Sequence, residues 1–178
     1  MAQTLAAETN RRVEFINYNP QAGRYAEKRV YGPETAPVKI YNVGIPGATT
    51  DEMSEHFDGL FPEPPSLIVA SVGHNQLPPD VSRDMDKFTQ SIKKQWPATQ
   101  VLIVGQNPAT GERWERQKKT VTTLMTWCRY WGFPSVSVFE AIAETPNFES
   151  LYVDLLHVNE AGSTIWAGVV QRYLLDDA

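Results

Sequence analysis

Asp154 and His157 stand three residues apart in Val153-Asp154-Leu155-Leu156-His157-Val158-Asn159, just ahead of a helix-like stretch. A carboxylate at that spacing can hold an imidazole in the tautomer and orientation that a general base needs, which is two thirds of a hydrolytic triad. The same spacing also serves as a plain capping or hydrogen-bonding arrangement before a helix. Two other segments carry donors suited to a developing negative charge. Gly44-Ile45-Pro46-Gly47 combines tight turning with backbone N–H groups open to an anion. Gly73-His74-Asn75-Gln76 offers the Asn75 amide, a kind of donor worth roughly two to three powers of ten in rate when aimed at an oxyanion. Both segments also read as simple turns. Trp114, at the end of Gly105 to Trp114, can stack on a sugar, cover an acyl chain or pack back on a helix. His56, among Asp51, Glu52 and Glu55, reads as the surface of an exposed helix.

These residues need a frame that brings loops together. Val38 to Val43, Ser66 to Val72 and Val101 to Val104 are short, β-branched and nearly continuously apolar, as expected of central parallel strands covered on both faces. Ser135 to Phe139 follows the helix stop Gly132-Phe133-Pro134 and is expected as an edge strand, with Val13 to Tyr18 as a further strand. Helical spacing links Val81, Met85, Phe88 and Ile92, and again Val121, Leu124, Met125, Cys128 and Trp131. A closing helix follows Asn159 as N-cap, with Ile165, Trp166, Val169, Val170, Tyr173 and Leu174 as its stripe. Alternating strands and helices predict an α/β layer structure in which ligands bind beyond the carboxyl ends of the strands. Gly44, Asn75, His74 and Trp114 all follow such strand exits.

Composition narrows the function classes. The chain has 178 residues with 42% apolar content, enough for one substantial core, and the expectation is a single domain over 1–178. Its net charge of −5 argues against a nucleic-acid partner, which relies on a clustered positive face. Cys128 is the only cysteine, so an intrachain disulfide and a thiolate zinc cluster are excluded, and the histidines lack metal-ligand spacing. No apolar run approaches a membrane span, and Met1 to Arg12 lacks the features of a secretion signal, so a soluble protein is expected, its compartment unspecified. No Gly-x-Gly-x-x-Gly or phosphate-binding Lys motif calls for a dinucleotide, and no cofactor is implied.

Taken in order, Asn42-Val43-Gly44-Ile45-Pro46-Gly47, Gly73-His74-Asn75 and Asp154-Leu155-Leu156-His157 resemble the second, third and fifth blocks of the SGNH hydrolases, also called GDSL-type esterases and lipases. The resemblance covers about residues 38 to 175. It implies a three-layer α/β/α sandwich with a central parallel sheet, flavodoxin-like in outline, and hydrolysis of small-molecule or carbohydrate acyl and acetyl esters. It also implies roles: His157 as general base, Asp154 as its orienting partner, the Gly44 N–H and Asn75 amide as oxyanion donors, and His74 toward substrate. Gln76 replaces the Asp usual in the third block.

The first block, Gly-Asp-Ser, which supplies the nucleophile, occurs nowhere in the sequence, so the nucleophile is unknown. Ser54 follows the second block on an expected helix, Ser71 falls inside a strand and Ser163 in the closing helix. Two readings follow. In the preferred one, Met1 to Thr9 is the helix that normally comes after the nucleophile loop, the first strand and its serine are absent from this chain, and a missing N-terminal segment or companion chain supplies them. In the other, Val13 to Tyr18 is itself the first strand, Asn17-Tyr18-Asn19-Pro20 replaces the nucleophile loop, and the protein is a noncatalytic binding or structural relative. Gly23 to Ala36 is hard to place in this second reading, since it has weak helical periodicity, contains Gly32-Pro33 and runs into Pro37.

Overall fold

Apolar β-branched runs form most of the strands of two sheets in the computed structural model, which describes residues 1–55 and 57–176. In chain order the first elements are α1 (Ala2–Thr9), β1 (Val13–Asn19), β2 (Arg24–Tyr31), β3 (Val38–Asn42), α2 (Thr50–Glu55) and α3 (Phe57–Leu60). Then come β4 (Leu67–Val72), α4 (Val81–Gln95), β5 (Gln100–Gly105), α5 (Trp114–Trp131), β6 (Ser135–Ser137), α6 (Val138–Ala143) and α7 (Glu160–Asp176), with 3₁₀ turns at Gly111–Arg113 and Phe148–Leu151. The fold is α/β. Two compact units are distinguished, one of Met1–Gly47 with Phe57–Pro62, the other of the remaining described chain.

In the first unit the strand order is β2-β1-β3. β1 runs parallel to β3, with Val13 opposite Val38 and Asn17 opposite Asn42. It runs antiparallel to β2, with Val13 opposite Tyr31 and an irregularity at Asn17/Tyr18. A small core of Ala2, Ala6 and Val13, flanked by Leu5, Phe15, Tyr31, Val38 and Ile40, seats α1 on this sheet. Of the helix expected over Met1 to Thr9, Ala2–Thr9 is helical and Met1 is its N-cap. The Asn17 to Pro20 segment ends β1 and enters a hairpin, where Asn19 Oδ1 accepts the Ala22 N–H at 3.0 Å. β2 is the strand that sequence reasoning could not place.

The second unit has strand order β4-β5-β6, all parallel, with Leu67 opposite Gln100 and Ile103 opposite Ser135. Successive side chains of β5 point to opposite faces. A Cβ built on Gly105 would lie 3.0 Å from Val121 and 3.3 Å from Met125, which puts α5 against that face. Leu102 and Val104 point the other way and cluster with Val138, Ile142, Val169 and Val170 from α6 and α7. The unit therefore has helices on both faces of its sheet. α4 lies beside α5, joined by the Trp127 Nε1–H donating to Asp86 Oδ1 at 2.9 Å. Full burial at Ile103, Val104, Val138, Ile142 and Val170 marks the centre of this core.

Two expectations are corrected. Val38 to Asn42 was expected beside the other central strands, but among the described residues it pairs with β1. The edge strand stops at Ser137, because Val138, Phe139 and Ile142 bury one side of a helical turn instead of alternating across a strand. His56, expected on a helix surface, lies outside the described residues. No helix among the described residues is long and apolar enough to cross a membrane.

Candidate active site

The loop between the 3₁₀ turn and α7 is closed at its neck before it presents any charge. Tyr152 and Val158 form an antiparallel bridge, the Val153 N–H donates to the His157 carbonyl at 2.9 Å, and the Asn159 N–H donates to the Leu151 carbonyl at 2.7 Å. Asn159 then starts α7 as expected, its Oδ1 accepting the Gly162 N–H at 3.1 Å. Between these ties the chain turns tightly around one carboxylate. Asp154 Oδ1 accepts the backbone N–H groups of Leu156 and His157, both at 2.7 Å. Asp154 Oδ2 faces His157 Nδ1 at 2.8 Å.

This geometry selects one tautomer of the imidazole. A carboxylate only accepts, so His157 Nδ1 carries the proton and the neutral ring leaves its lone pair on Nε2. The backbone N–H of His157, the side-chain bond to that residue and the Leu156 N–H together hold the Asp154 carboxyl down at about 2. Both side chains are open to solvent, His157 by 71% and Asp154 by 52%, so a reacting group can approach the ring. Asp154 and His157 are therefore brought together, the carboxylate accepting and the imidazole held through Nδ1.

His74 and Asn75 come from the exit of β4. Gly73 leaves the strand at φ 125°, a conformation that only glycine adopts comfortably, and turns the chain over the sheet edge. The loop is then locked by Gln76, whose Oε1 accepts the Gly73 N–H and whose Nε2 donates to Thr50 Oγ1, both at 3.1 Å. Asn75 is exposed, and its Nδ2 donates to the Ala48 carbonyl at 3.0 Å. An amide nitrogen has two protons, so one remains for another acceptor. His74 Nε2 lies 3.0 Å from the Asn107 carbonyl. Burial lowers its pKa, the bond to the Asn107 carbonyl opposes that shift, and a protonated His157 would add to the lowering.

Gly44 belongs to the first unit, where its N–H donates to Asn42 Oδ1 at 3.3 Å. Trp114 packs its ring against Phe139 and Phe148, with centroids 5.1 and 5.3 Å away. Ser54 Oγ donates to the Thr50 carbonyl at 2.7 Å on α2, Ser71 lies within β4 with its Oγ buried, and Ser163 sits on α7. Among the described residues no group of three His, Cys, Asp or Glu side chains is placed to hold a metal ion. Burial pushes the Cys128 thiol up to about 11.

Sequence reasoning missed two residues of this region. Gln76 stood out only as a replacement for Asp, although its buried amide closes the His74 loop. Asn107 was passed over as part of a segment after a strand, although it is 4% exposed and its Nδ2 donates to the Leu156 carbonyl at 3.0 Å. The available signal was an Asn-Pro pair at a strand exit in a parallel sheet.

The sequence matches the GDSL-like Lipase/Acylhydrolase family over residues 8–165. No curated protein matches it significantly. Solved structures share the fold. A lipase/acylhydrolase from Enterococcus faecalis superposes with TM-score 0.67 at 17% identity, covering 79% of this chain and 76% of that one. A member of the lipolytic protein G-D-S-L family from Veillonella parvula gives 0.62 at 13% identity, covering 75% and 79%. An acetyl xylan esterase from Geobacillus stearothermophilus gives 0.62 at 16% identity, covering 80% and 75%.

Proposed function

Since this chain belongs to the GDSL-like lipase/acylhydrolase family, we propose that it carries the acid–base half of a serine esterase acting on acyl or acetyl esters. The observation that carries this reading is the Asp154 carboxylate, fixed by two backbone N–H groups and facing His157 Nδ1 at 2.8 Å. In the proposed reaction, His157 Nε2 takes the proton of a serine Oγ as that oxygen bonds to the ester carbonyl carbon. The Asn75 amide is assigned as a donor to the tetrahedral oxyanion. Collapse breaks the bond to the alcohol, which leaves with the proton from His157. Water then attacks the acyl-serine by the same route, His157 taking its proton and returning it to the serine.

No Gly-Asp-Ser motif occurs among the 178 residues, so the proposal includes a Gly-Asp-Ser segment joined upstream or carried on a companion chain. A small or carbohydrate ester is the proposed substrate, a choice supported by the likeness to the acetyl xylan esterase. Loss of a serine nucleophile costs on the order of a millionfold in turnover in a serine protease, so this chain alone should barely exceed background. Adding the segment should restore hydrolysis of a chromogenic acetyl ester and labelling by a fluorophosphonate probe, and His157→Asn should remove the hydrolysis. A folded, reconstituted protein that neither turns over nor labels would overturn the reading. The absent serine also favours a second reading, a noncatalytic binding module, which predicts saturable binding of an acetylated oligosaccharide without hydrolysis in either form.

A further inference from the structure

One buried residue ties together the two loops that carry His74 and His157. Asn107, in the segment after β5, uses its backbone carbonyl to accept from His74 Nε2 at 3.0 Å. A carbonyl only accepts, so His74 must hold its proton on Nε2. The side chain of the same residue reaches the opposite way. Its Nδ2 donates to the Leu156 carbonyl at 3.0 Å, immediately before His157, and lies 3.1 Å from the Pro108 carbonyl, with Tyr152 Oη 3.5 Å away. Neighbouring bonds strengthen the same junction: the Thr110 N–H donates to the Leu155 carbonyl at 2.8 Å, and the Tyr152 hydroxyl donates to the Pro108 carbonyl at 2.5 Å.

We propose that Asn107 is a positioning residue, its backbone carbonyl setting the tautomer of His74 and its buried side-chain amide the placement of the His157 turn. This rests on the reading of His157 as general base, but its structural content does not depend on hydrolysis. His157 is held inside its own loop by Asp154, and Leu151, Tyr152 and Val158 anchor the neck of that loop in the core. The tip is tied down by bonds to the Leu155 and Leu156 carbonyls, the latter from the Asn107 side chain. A general base must sit within a fraction of an ångström of its proton donor, and a misplacement of about 1 Å can cost on the order of a hundredfold in rate. Only Asn suits the position: Asp would set a carboxylate against the Pro108 and Leu156 carbonyls, and Gln would be one methylene too long for the same reach.

The test is imidazole NMR on the present chain, with Asn107→Ala and the smaller polar change Asn107→Ser. In the wild type, long-range proton–nitrogen spectra should report His74 protonated on Nε2 and His157 on Nδ1. In a folded Asn107→Ala protein the ring signals of His157 should move as its turn shifts, with the proton still on Nδ1 because Asp154 keeps accepting it, and the His74 signals should follow any displacement of the backbone carbonyl that fixes its Nε2 proton. Asn107→Ser should shift them less. Unchanged signals from both histidines in a folded variant would overturn the proposal. If both variants unfold, through-hydrogen-bond coupling between Asn107 Nδ2 and the Leu156 carbonyl carbon in the wild type decides, its presence supporting the proposal and its absence overturning it. In protein reconstituted with a Gly-Asp-Ser segment, Asn107→Ala should lower kcat about a hundredfold with KM little changed. Reconstitution without hydrolysis, but with the His157 signals still moved by Asn107→Ala, removes the esterase reading and supports the positioning role. Restored hydrolysis that Asn107→Ala leaves untouched removes the positioning role alone.

Discussion

At Asp154 the two carboxylate oxygens have different duties, and a conservative substitution separates them. Oδ1 accepts two backbone N–H groups and Oδ2 accepts from His157. In Asp154→Asn the carbonyl oxygen must stay on the backbone side, where only an acceptor fits. The new NH₂ then faces His157 Nδ1 and drives the ring proton to Nε2. The base is lost while the turn is kept. Reconstituted Asp154→Asn should therefore lose about 10⁴ in kcat, the scale seen when a triad histidine is forced into the wrong tautomer, and nitrogen NMR should show the proton on Nε2. The pH dependence has a definite sign. The Asp154 carboxyl is depressed from 3.8 to about 2, so its contribution to holding the turn is complete above about pH 4 and fades as pH falls toward 2. A carboxyl-carbon titration of Asp154 should find it still ionised at pH 4, and a midpoint at the ordinary value would show that the turn is not formed in solution.

The elements around that turn hold it by close approach. Gly162, in the first turn of α7, has no room for a side chain: a Cβ there would lie 2.7 Å from both the Leu151 carbonyl oxygen and Val158 Cβ. Helix propensity alone says that Gly162→Ala should stabilise α7 by up to about 1 kcal/mol. Packing says the reverse, because the clash is with backbone and a β-carbon rather than a flexible tip, and overpacking costs about 1–3 kcal/mol. The expected outcome is a melting temperature lower by about 2–4 °C per kcal/mol, with the His157 signals disturbed, and a rise in melting temperature would refute the packing argument. Element types were legible where burial imposes a period. Val81, Met85, Phe88 and Ile92 pack one side of α4, and the apolar runs of β4 and β5 fill a covered sheet. β2 was illegible because Arg24-Tyr25-Ala26-Glu27-Lys28-Arg29-Val30-Tyr31 is mostly exposed and has no apolar face; its pairing to β1, with Glu14 opposite Val30 and Ile16 opposite Lys28, makes it a strand.

Across the whole molecule, stability should depend most on the second unit's central strand. Leu102 is 2% exposed and meets α6 and α7 together, so Leu102→Ala should cost about 2–5 kcal/mol in denaturant unfolding, and a loss under 1 kcal/mol would show that this core is not packed as described. The layer class, the late charged pair and the strand exits that carry Gly44 and His74 could all be read from residue order, because periodic burial and short motifs leave local traces. The work of Gln76 and Asn107 could not, since each acts by hydrogen bonds to partners far along the chain, Thr50 and Leu156. Such bonds appear only once the strands have brought their loops together. The bridge from Tyr152 to Val158 closes a bracket that contains both the acid and the base, so neither depends on a distant segment to find the other. A descendant that has given up ester cleavage elsewhere in its sequence therefore keeps the bracket unscarred, and a survey that ranks relatives by this stretch alone would count retired enzymes among working ones.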